Sequence, residues 1–319
     1  KTHARRVVRL KEERGFSDYA ELWRWSVEHL EDFWRAIWDY FKLESTTPVT
    51  SVLGKRTMPG AEWFPGARLN YAENLFRGHD DADVAIRHAS ELRPFGKVTW
   101  GELRADTARI ADALRRLGVK EGDRVVAYMP NVPETIAAFL ACASLGAIWS
   151  SCSPDFGVRS VVDRFAQIEP TVLFAVDGYR YGGKDFDRRD VLQRLQEEMP
   201  SVRRTVVLPY LVPEPDLEGL RNTVTWKAFL AGGSNEPLTF AQVPFGHPLW
   251  VLYSSGTTGL PKPRVHGHGG VLLELSKVLL LHVDLQEGDR LFWFTTTGWM
   301  MWNFLLSGLL TKASIVLYD

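Results

Sequence analysis

Ten consecutive residues, Tyr253-Ser254-Ser255-Gly256-Thr257-Thr258-Gly259-Leu260-Pro261-Lys262, follow directly on the apolar run Leu249 to Tyr253. Ser254, Ser255, Thr257 and Thr258 bring hydroxyl donors, and Lys262 brings a compact point charge. Gly256 and Gly259 let the backbone approach a ligand closely and adopt dihedrals closed to other residues. Hydroxyls, backbone N–H groups and an ammonium converging after a strand suit a triphosphate. The spacing of Gly256, Gly259 and Lys262 departs from G-x-x-x-x-G-K-[ST], so the string is not a Walker A loop. The plain alternative is a Ser/Gly/Thr hairpin connection, which has no need of so many hydroxyls followed by Pro-Lys. At the exit, Pro263 lacks a backbone donor, so no phosphate contact is expected from its nitrogen. His266 and His268 form an H-x-H pair that supplies too few ligands for a metal site, and a structural or nucleotide-adjacent role is expected of them.

A chain able to hold such a loop must bury a core, and 319 residues with 45% hydrophobic and 24% charged content can do so as a globular, soluble protein. The 38 basic and 39 acidic residues leave a formal net charge of -1, so nothing global favours nucleic acid or an anionic membrane, and small molecules are the expected partners. Cys142 and Cys152 stand without CxxC or metal spacing and read as reduced, buried thiols, which fits a cytoplasmic location. The Arg- and Lys-rich stretch Lys1 to Gly15 has no apolar run behind it and reads as a solvated segment rather than a signal or anchor. The apolar stretch Ala137 to Trp149 falls short of the roughly 20 residues of a spanning helix.

Short strand-like runs alternate with amphipathic helices along most of the chain. Ser17 to Phe41 reads as two aromatic-rich helices, in which Trp23, Trp25, Trp34 and Trp38 are expected to pack rather than react. Thr99 and Glu102 form a capping box for a helix with one face at Leu103, Thr107, Ile110, Leu114 and Leu117, stopped by Gly118. A strand over Arg124 to Met129 leads to a second helix, expected to begin at Asn131 with Pro133 in its first turn and Glu134 completing its cap. Further strands are expected over Thr171 to Val176, Thr205 to Leu208, Leu249 to Tyr253, Arg290 to Phe294 and Ala313 to Tyr318. The fold class is therefore α/β, with parallel-rich sheets flanked by helices and a small helical cap over residues 1–47. The polar, Pro- and Gly-bearing stretch 209–248 is the expected internal boundary between two sheet-bearing subdomains.

The loop Tyr253 to Lys262 resembles the signature of the adenylate-forming superfamily, which includes acyl-CoA synthetases, luciferases and peptide-synthetase adenylation domains. Tyr19 to Phe41, with Trp25-Ser26 and Phe33-Trp34, and then Trp63-Phe64-Pro65-Gly66 to Asn74, resemble the N-terminal cap of the acetyl- and acetoacetyl-CoA synthetase branch. Phe292 to Leu310 resembles the acetoacetate-using members more than the acetate-using ones, where small residues follow the counterpart of Gly298-Trp299. The resemblance implies an adenylate-forming N-terminal domain, here a partial one over residues 48–319, using ATP, Mg2+ and coenzyme A. Acetoacetate would attack the α-phosphate of ATP to give an acyl-adenylate and pyrophosphate, and the thiol of coenzyme A would then displace AMP.

On this reading Thr257 and Lys262 are the catalytic residues, and Ser254, Ser255, Gly256, Thr257, Thr258, Gly259 and Lys262 hold the ATP phosphates. Gly298, Trp299, Met300 and Met301 would wall the acyl pocket, or form core at a strand-to-helix turn. Arg180 and Lys184, flanking Gly182 and Gly183, resemble the basic turn that meets the nucleotide phosphates of coenzyme A, though a solvated charge cluster reads equally well. The superfamily's Tyr-Gly-x-Thr-Glu and Thr-Gly-Asp segments and its mobile C-terminal domain with a catalytic lysine do not occur in these residues, so a partial chain is expected. The alternatives are a ligase for another short acid, such as acetate, propionate or butyrate, and a non-catalytic nucleotide-binding fragment.

Overall fold

The computed structural model describes residues 5–233, 236–255 and 259–319. The chain opens with three helices, α1 (Arg5–Glu13), α2 (Tyr19–Glu28) and α3 (Leu30–Tyr40). The first of them corrects the expectation of a solvated leader: Leu10 is buried and Val7 packs on the core, and even Arg6 turns inward to donate to the Leu285 carbonyl. Asp18 caps α2 by accepting from the Glu21 N–H at 2.9 Å. Trp38 stacks on Phe64 with centroids 4.8 Å apart, and Trp34 meets Trp63 edge-on at 6.1 Å. The aromatic density is thus packing, with Trp23 as an exposed exception.

Next come the short strand β1 (Arg68–Leu69), helix α4 (Tyr71–Phe76), strands β2 (Val84–Ala89) and β3 (Gly96–Thr99), and helix α5 (Trp100–Arg116). The capping box is present as read, with the Thr99 hydroxyl accepting from Glu102 N–H at 3.2 Å and the Glu102 carboxylate accepting from Thr99 N–H at 2.8 Å. Leu103, Thr107, Ile110 and Leu114 are buried on one face, and Gly118 takes a φ of +81° just beyond the helix end.

Strand β4 (Arg124–Tyr128), helix α6 (Pro133–Ser144), strand β5 (Ile148–Cys152), helix α7 (Val158–Phe165), strand β6 (Val172–Val176), hairpin strands β7 (Gly178–Tyr181) and β8 (Lys184–Asp187), helix α8 (Arg189–Glu198) and strand β9 (Arg204–Leu208) continue the alternation. Pro133 does open α6, but its N-cap is Val132 and carries no side-chain bond. Glu134 does not cap: its carboxylate binds the Arg93 guanidinium at 2.9 Å, since a charged partner outcompetes a single backbone N–H. Every residue of α6 from Thr135 to Ser144 is buried, so the apolar stretch is a core helix. No helix among the described residues is long and apolar enough to cross a membrane.

The chain then forms β10 (Thr223–Thr225), α9 (Trp226–Leu230), β11 (Val243–Pro244), β12 (Pro248–Ser254), β13 (Lys262–Gly267), α10 (His268–Lys277), β14 (Arg290–Phe292), α11 (Met300–Leu306) and β15 (Ser314–Tyr318). Seven strands lie in the order β10-β9-β6-β4-β5-β12-β13, parallel except for the β12/β13 pair. Alternate residues of β4 enter two separate cores, Val125 and Ala127 on one face and Val126 and Tyr128 on the other, so helices cover both sides. A four-stranded sheet, β14-β15-β2-β3, completes the frame. Both sheets draw strands from either side of residues 209–248, with β12 pairing back onto β5 and β15 onto β2. The polar stretch therefore does not separate one sheet from the other, because parallel pairing joins strands far apart in sequence.

Candidate functional site

The hydroxyl- and glycine-rich loop joins two antiparallel strands. Ser254, the last residue of β12, lies directly opposite Lys262, the first of β13. A strand–loop–strand connection is consistent with the absence of a Walker A pattern, which runs from strand to helix. Pro263 is tolerated because β13 is the sheet's edge. Gly256, Thr257 and Thr258 lie outside the described residues. Ser255 is exposed, and Gly259 takes a φ of +95°, a conformation for which glycine is suited.

Both ends of the loop are tied to the same helical segment. The Tyr253 hydroxyl donates to the Arg164 carbonyl at 2.7 Å, and the Gln167 amide donates to the Pro261 carbonyl at 2.9 Å. Burial raises the Tyr253 pKa, so this phenol remains a donor. Arg164 stacks its guanidinium over the Phe156 ring at 5.2 Å, and Phe156 in turn lies so close to Gly298 that a Cβ there would meet its Cζ at 2.8 Å. Arg164 and Phe156 thereby link the loop to the turn at Gly298.

Direct cross-strand neighbours share a face of a sheet, so Ser254, Lys262, Leu252, Arg264, Trp250 and His266 point to one side. Arg264 donates to the Ser254 hydroxyl at 3.3 Å, which brings a second cation to the loop. Trp250 donates through Nε1 to His266 Nδ1 at 3.0 Å, and burial lowers the pKa of this imidazole, favouring the neutral acceptor. Below them a cavity of about 310 Å³ is lined by Trp250, His266, Gly270, Val271, Glu274 and Met300 among others. Glu274 is already paired with Lys277 at 2.8 Å, so the cavity's one carboxylate is compensated.

Of the four residues expected to wall an acyl pocket, Met300 lines this cavity, Gly298 packs on Phe156, Met301 is half-buried, and Trp299 is largely exposed. Arg180 and Lys184 belong to the separate β7/β8 hairpin. There Arg180 is bound by both oxygens of Asp185, at 2.6 and 3.1 Å, and the Gly182 and Gly183 N–H groups both donate to the Glu91 carboxylate at 2.7 Å. The hairpin is an anion-binding turn by geometry, and none of these contacts joins it to the β12/β13 face. Sequence reasoning missed Glu91, Arg264 and Trp250. Arg264 alone carried a signal, being two residues beyond Lys262 and hence on the same face of a strand.

The two histidines of the H-x-H pair part company. His268 Nδ1 accepts from the Tyr71 N–H at 3.1 Å, its ring lies 5.7 Å from that of His247, and burial lowers its pKa to about 3. Among the described residues no group of three or more His, Cys, Asp or Glu could hold a metal ion. His79, stacked on Trp100 at 3.7 Å, is lowered to about 4, mainly by burial and then by the charges of Lys312 and Arg104. In the unfolded chain both imidazoles take up protons as pH falls through about 6.5, whereas in the fold they refuse them until far lower. Stability is therefore full above that value and declines as pH falls from about 6.5, through about 4 for the share of His79 and about 3 for that of His268. Urea midpoints across this range should fall, and less steeply in His79→Phe, which keeps the stack on Trp100 and removes the titration.

The description AMP-binding enzyme matches residues 77–319, which contain the whole of this site. The chain belongs to the AMP-binding enzyme family. Residues 19–75 match the acetyl-coenzyme A synthetase N-terminus. Among relatives, the chain is 45% identical over 314 residues to acetoacetyl-CoA synthetase of Danio rerio, covering 96% of this chain and 47% of that protein. It is 46% identical over 311 residues to acetoacetyl-coenzyme A synthetase of Rhizobium meliloti (strain 1021), covering 96% and 47%. The solved acetoacetyl-CoA synthetase from Streptomyces lividans superposes with a TM-score of 0.92 at 51% identity, over 98% of this chain and 49% of that one. The chain thus spans about half the length of the relatives it matches.

Proposed function

We propose that this chain is the triphosphate- and acyl-handling part of a ligase that joins acetoacetate to coenzyme A through an acyl-adenylate. The observation that carries this reading is a single continuous face: Ser254 opposite Lys262 at the loop, then Arg264 and His266, then a cavity walled by Met300. The names of the relatives point to the same substrate. A carboxylate oxygen of acetoacetate forms a bond to the α-phosphorus as the bond to pyrophosphate breaks. The thiolate of coenzyme A then adds to the acyl carbon, and AMP leaves with the bonding pair. Negative charge grows on the phosphates in the first step, and donors already fixed around it stabilise that charge most.

Lys262 is assigned to the triphosphate together with the hydroxyls and backbone of Ser254, Ser255, Gly256, Thr257, Thr258 and Gly259, and Arg264 is set to reinforce it. A magnesium ion bound with the triphosphate would neutralise further charge. Among the described residues no group of three or more His, Cys, Asp or Glu is placed to hold it. Gly298, Trp299, Met300 and Met301 are proposed to bound the acyl group, with Met300 as the residue that faces the cavity. Arg180 and Lys184 are proposed to meet the phosphates of coenzyme A at the β7/β8 turn. The buried thiols of Cys142 and Cys152 suit the reducing cytoplasm.

The test is AMP release by the full-length protein with ATP, coenzyme A and a panel of acetate, propionate, butyrate and acetoacetate. Acetoacetate is expected to give the highest kcat/KM. A higher value with acetate would replace the substrate, and no acid-dependent AMP release at all would replace the ligase reading.

A further inference from the structure

The turn between β7 and β8 already holds the protein's own anions. Tyr181 lies opposite Lys184, so Gly182 and Gly183 form a two-residue hairpin loop, and their φ values of +59° and +73° are the left-handed pair that such a tight turn requires. Successive N–H groups in a turn of this kind make a small cradle for an anion. Both donate to one carboxylate, Gly182 to Glu91 Oε1 and Gly183 to Glu91 Oε2, each at 2.7 Å. The neighbouring cation is taken as well, because Asp185 holds the Arg180 guanidinium. A Cβ added at Gly182 or Gly183 would meet nothing within 4 Å, so the space beside the turn is open to a group larger than a carboxylate. Glu91 is not needed to hold its own loop. Ser90 Oγ accepts from the N–H groups of Leu92 and Arg93 at 3.2 and 3.1 Å, and Arg93 is anchored by Glu134 and by the Tyr210 ring at 4.8 Å. The exposed Glu91 side chain is therefore the movable member of a fixed loop.

Resting on the reading that coenzyme A meets this turn, we infer that Glu91 is an internal stand-in for a coenzyme A phosphate, one that must leave the Gly182 and Gly183 N–H groups before coenzyme A can bind. Two anions cannot share one pair of donors, and a phosphate set beside an undisplaced Glu91 would be repelled. A phosphate monoester still wins the exchange, since it carries about -1.5 to -2 charges and three acceptor oxygens against the single charge and two oxygens of a carboxylate. Glu91, being exposed, finds water when it is released. While it sits on the turn, Glu91 lowers the fraction of protein ready to bind, and the apparent dissociation constant rises in the same proportion. A side chain that only braced the hairpin would have the opposite effect, because its loss could only loosen the turn and weaken binding.

The test is KM of the full-length protein for coenzyme A and for dephospho-coenzyme A, read by AMP release with ATP and acetoacetate in excess. In Glu91→Ala, KM for coenzyme A is expected to fall about fivefold or more. A fall confined to coenzyme A identifies the 3′-phosphate as the group that Glu91 replaces, and an equal fall with both compounds identifies the diphosphate; either supports the inference. An unchanged or raised KM for coenzyme A would overturn it. Should Glu91→Ala fail to fold, Glu91→Gln keeps the length, removes the charge and is read in the same way. Lys184→Ala separates this failure from failure of the underlying reading. If Lys184→Ala raises KM for coenzyme A while Glu91→Ala leaves it unchanged, the turn meets coenzyme A and only the role of Glu91 falls. If neither variant moves it, the turn does not meet coenzyme A and both fall.

Discussion

In Lys262→Ala, AMP release with acetoacetate, ATP and coenzyme A should fall by about 100-fold or more, while the urea midpoint stays where it was. The asymmetry follows from position. Lys262 is exposed at the start of an edge strand, opposite Ser254, where its side chain supports no core packing. Truncating such a side chain changes stability by no more than about 0.5 kcal/mol. Its ammonium is nevertheless the charge nearest in sequence to the loop hydroxyls, and removing one preorganised donor from a developing phosphate charge has large kinetic consequences. Lys262→Arg should restore only part of the rate, because a planar fork does not reproduce a compact ammonium beside an end of the loop held through Pro261 by Gln167. Unchanged turnover at unchanged stability would remove Lys262 from the phosphate site. Arg264, two residues along the same face and bound to the Ser254 hydroxyl, would then be the cation to replace next.

What could be read from the sequence was what neighbouring residues dictate. The Thr99/Glu102 capping box and the apolar runs of β4, β6, β9 and β12 need only residues close by, and each is found in place. The loop at 253–262 stands out in sequence because so many hydroxyls followed by Pro-Lys have no use in an ordinary turn, and its ends are seen to join two paired strands. Pairings that depend on distant partners were not legible. Glu134 looked like a cap until Arg93, 41 residues away, claimed its carboxylate. Glu91 gave no sign of filling the β7/β8 turn, because its partners lie 91 and 92 residues on. The basic leader looked solvated because the surfaces that bury Leu10 come from the far end of the chain, where α1 lies against the segment that extends α10. The family resemblance marked Gly298 to Met301 as a group, but of the four Met300 lines the cavity, while Trp299, the extended N-cap of α11, is 61% exposed.

Gly269→Ala should cost about 3 kcal/mol of stability and displace a wall of the cavity, which makes it the most damaging single methyl group we expect. A Cβ at this position would sit 2.1 to 2.5 Å from three carbons of the Phe245 ring. The ring has nowhere to retreat, because it packs 5.0 Å from Phe64 and 6.3 Å from Trp38, in the stack that seats α3. Its backbone is held as well: Phe245 N–H donates to the Ala67 carbonyl at 3.0 Å, and the Phe245 carbonyl accepts from Gly269 N–H at 3.0 Å. The strain must therefore move α10, and α10 carries Gly270, Val271, Glu274 and Leu275 along the cavity. Gly270→Ala is the control, since a Cβ there meets nothing within 4 Å. In a helix, that change should leave stability unchanged or raise it by about 0.5 kcal/mol through lower backbone entropy in the unfolded chain. Urea midpoints of the two variants decide the matter. If they shift equally, then the close approach of Phe245 does not hold α10 in place, and the route from the aromatic cap to the cavity wall must run through other contacts.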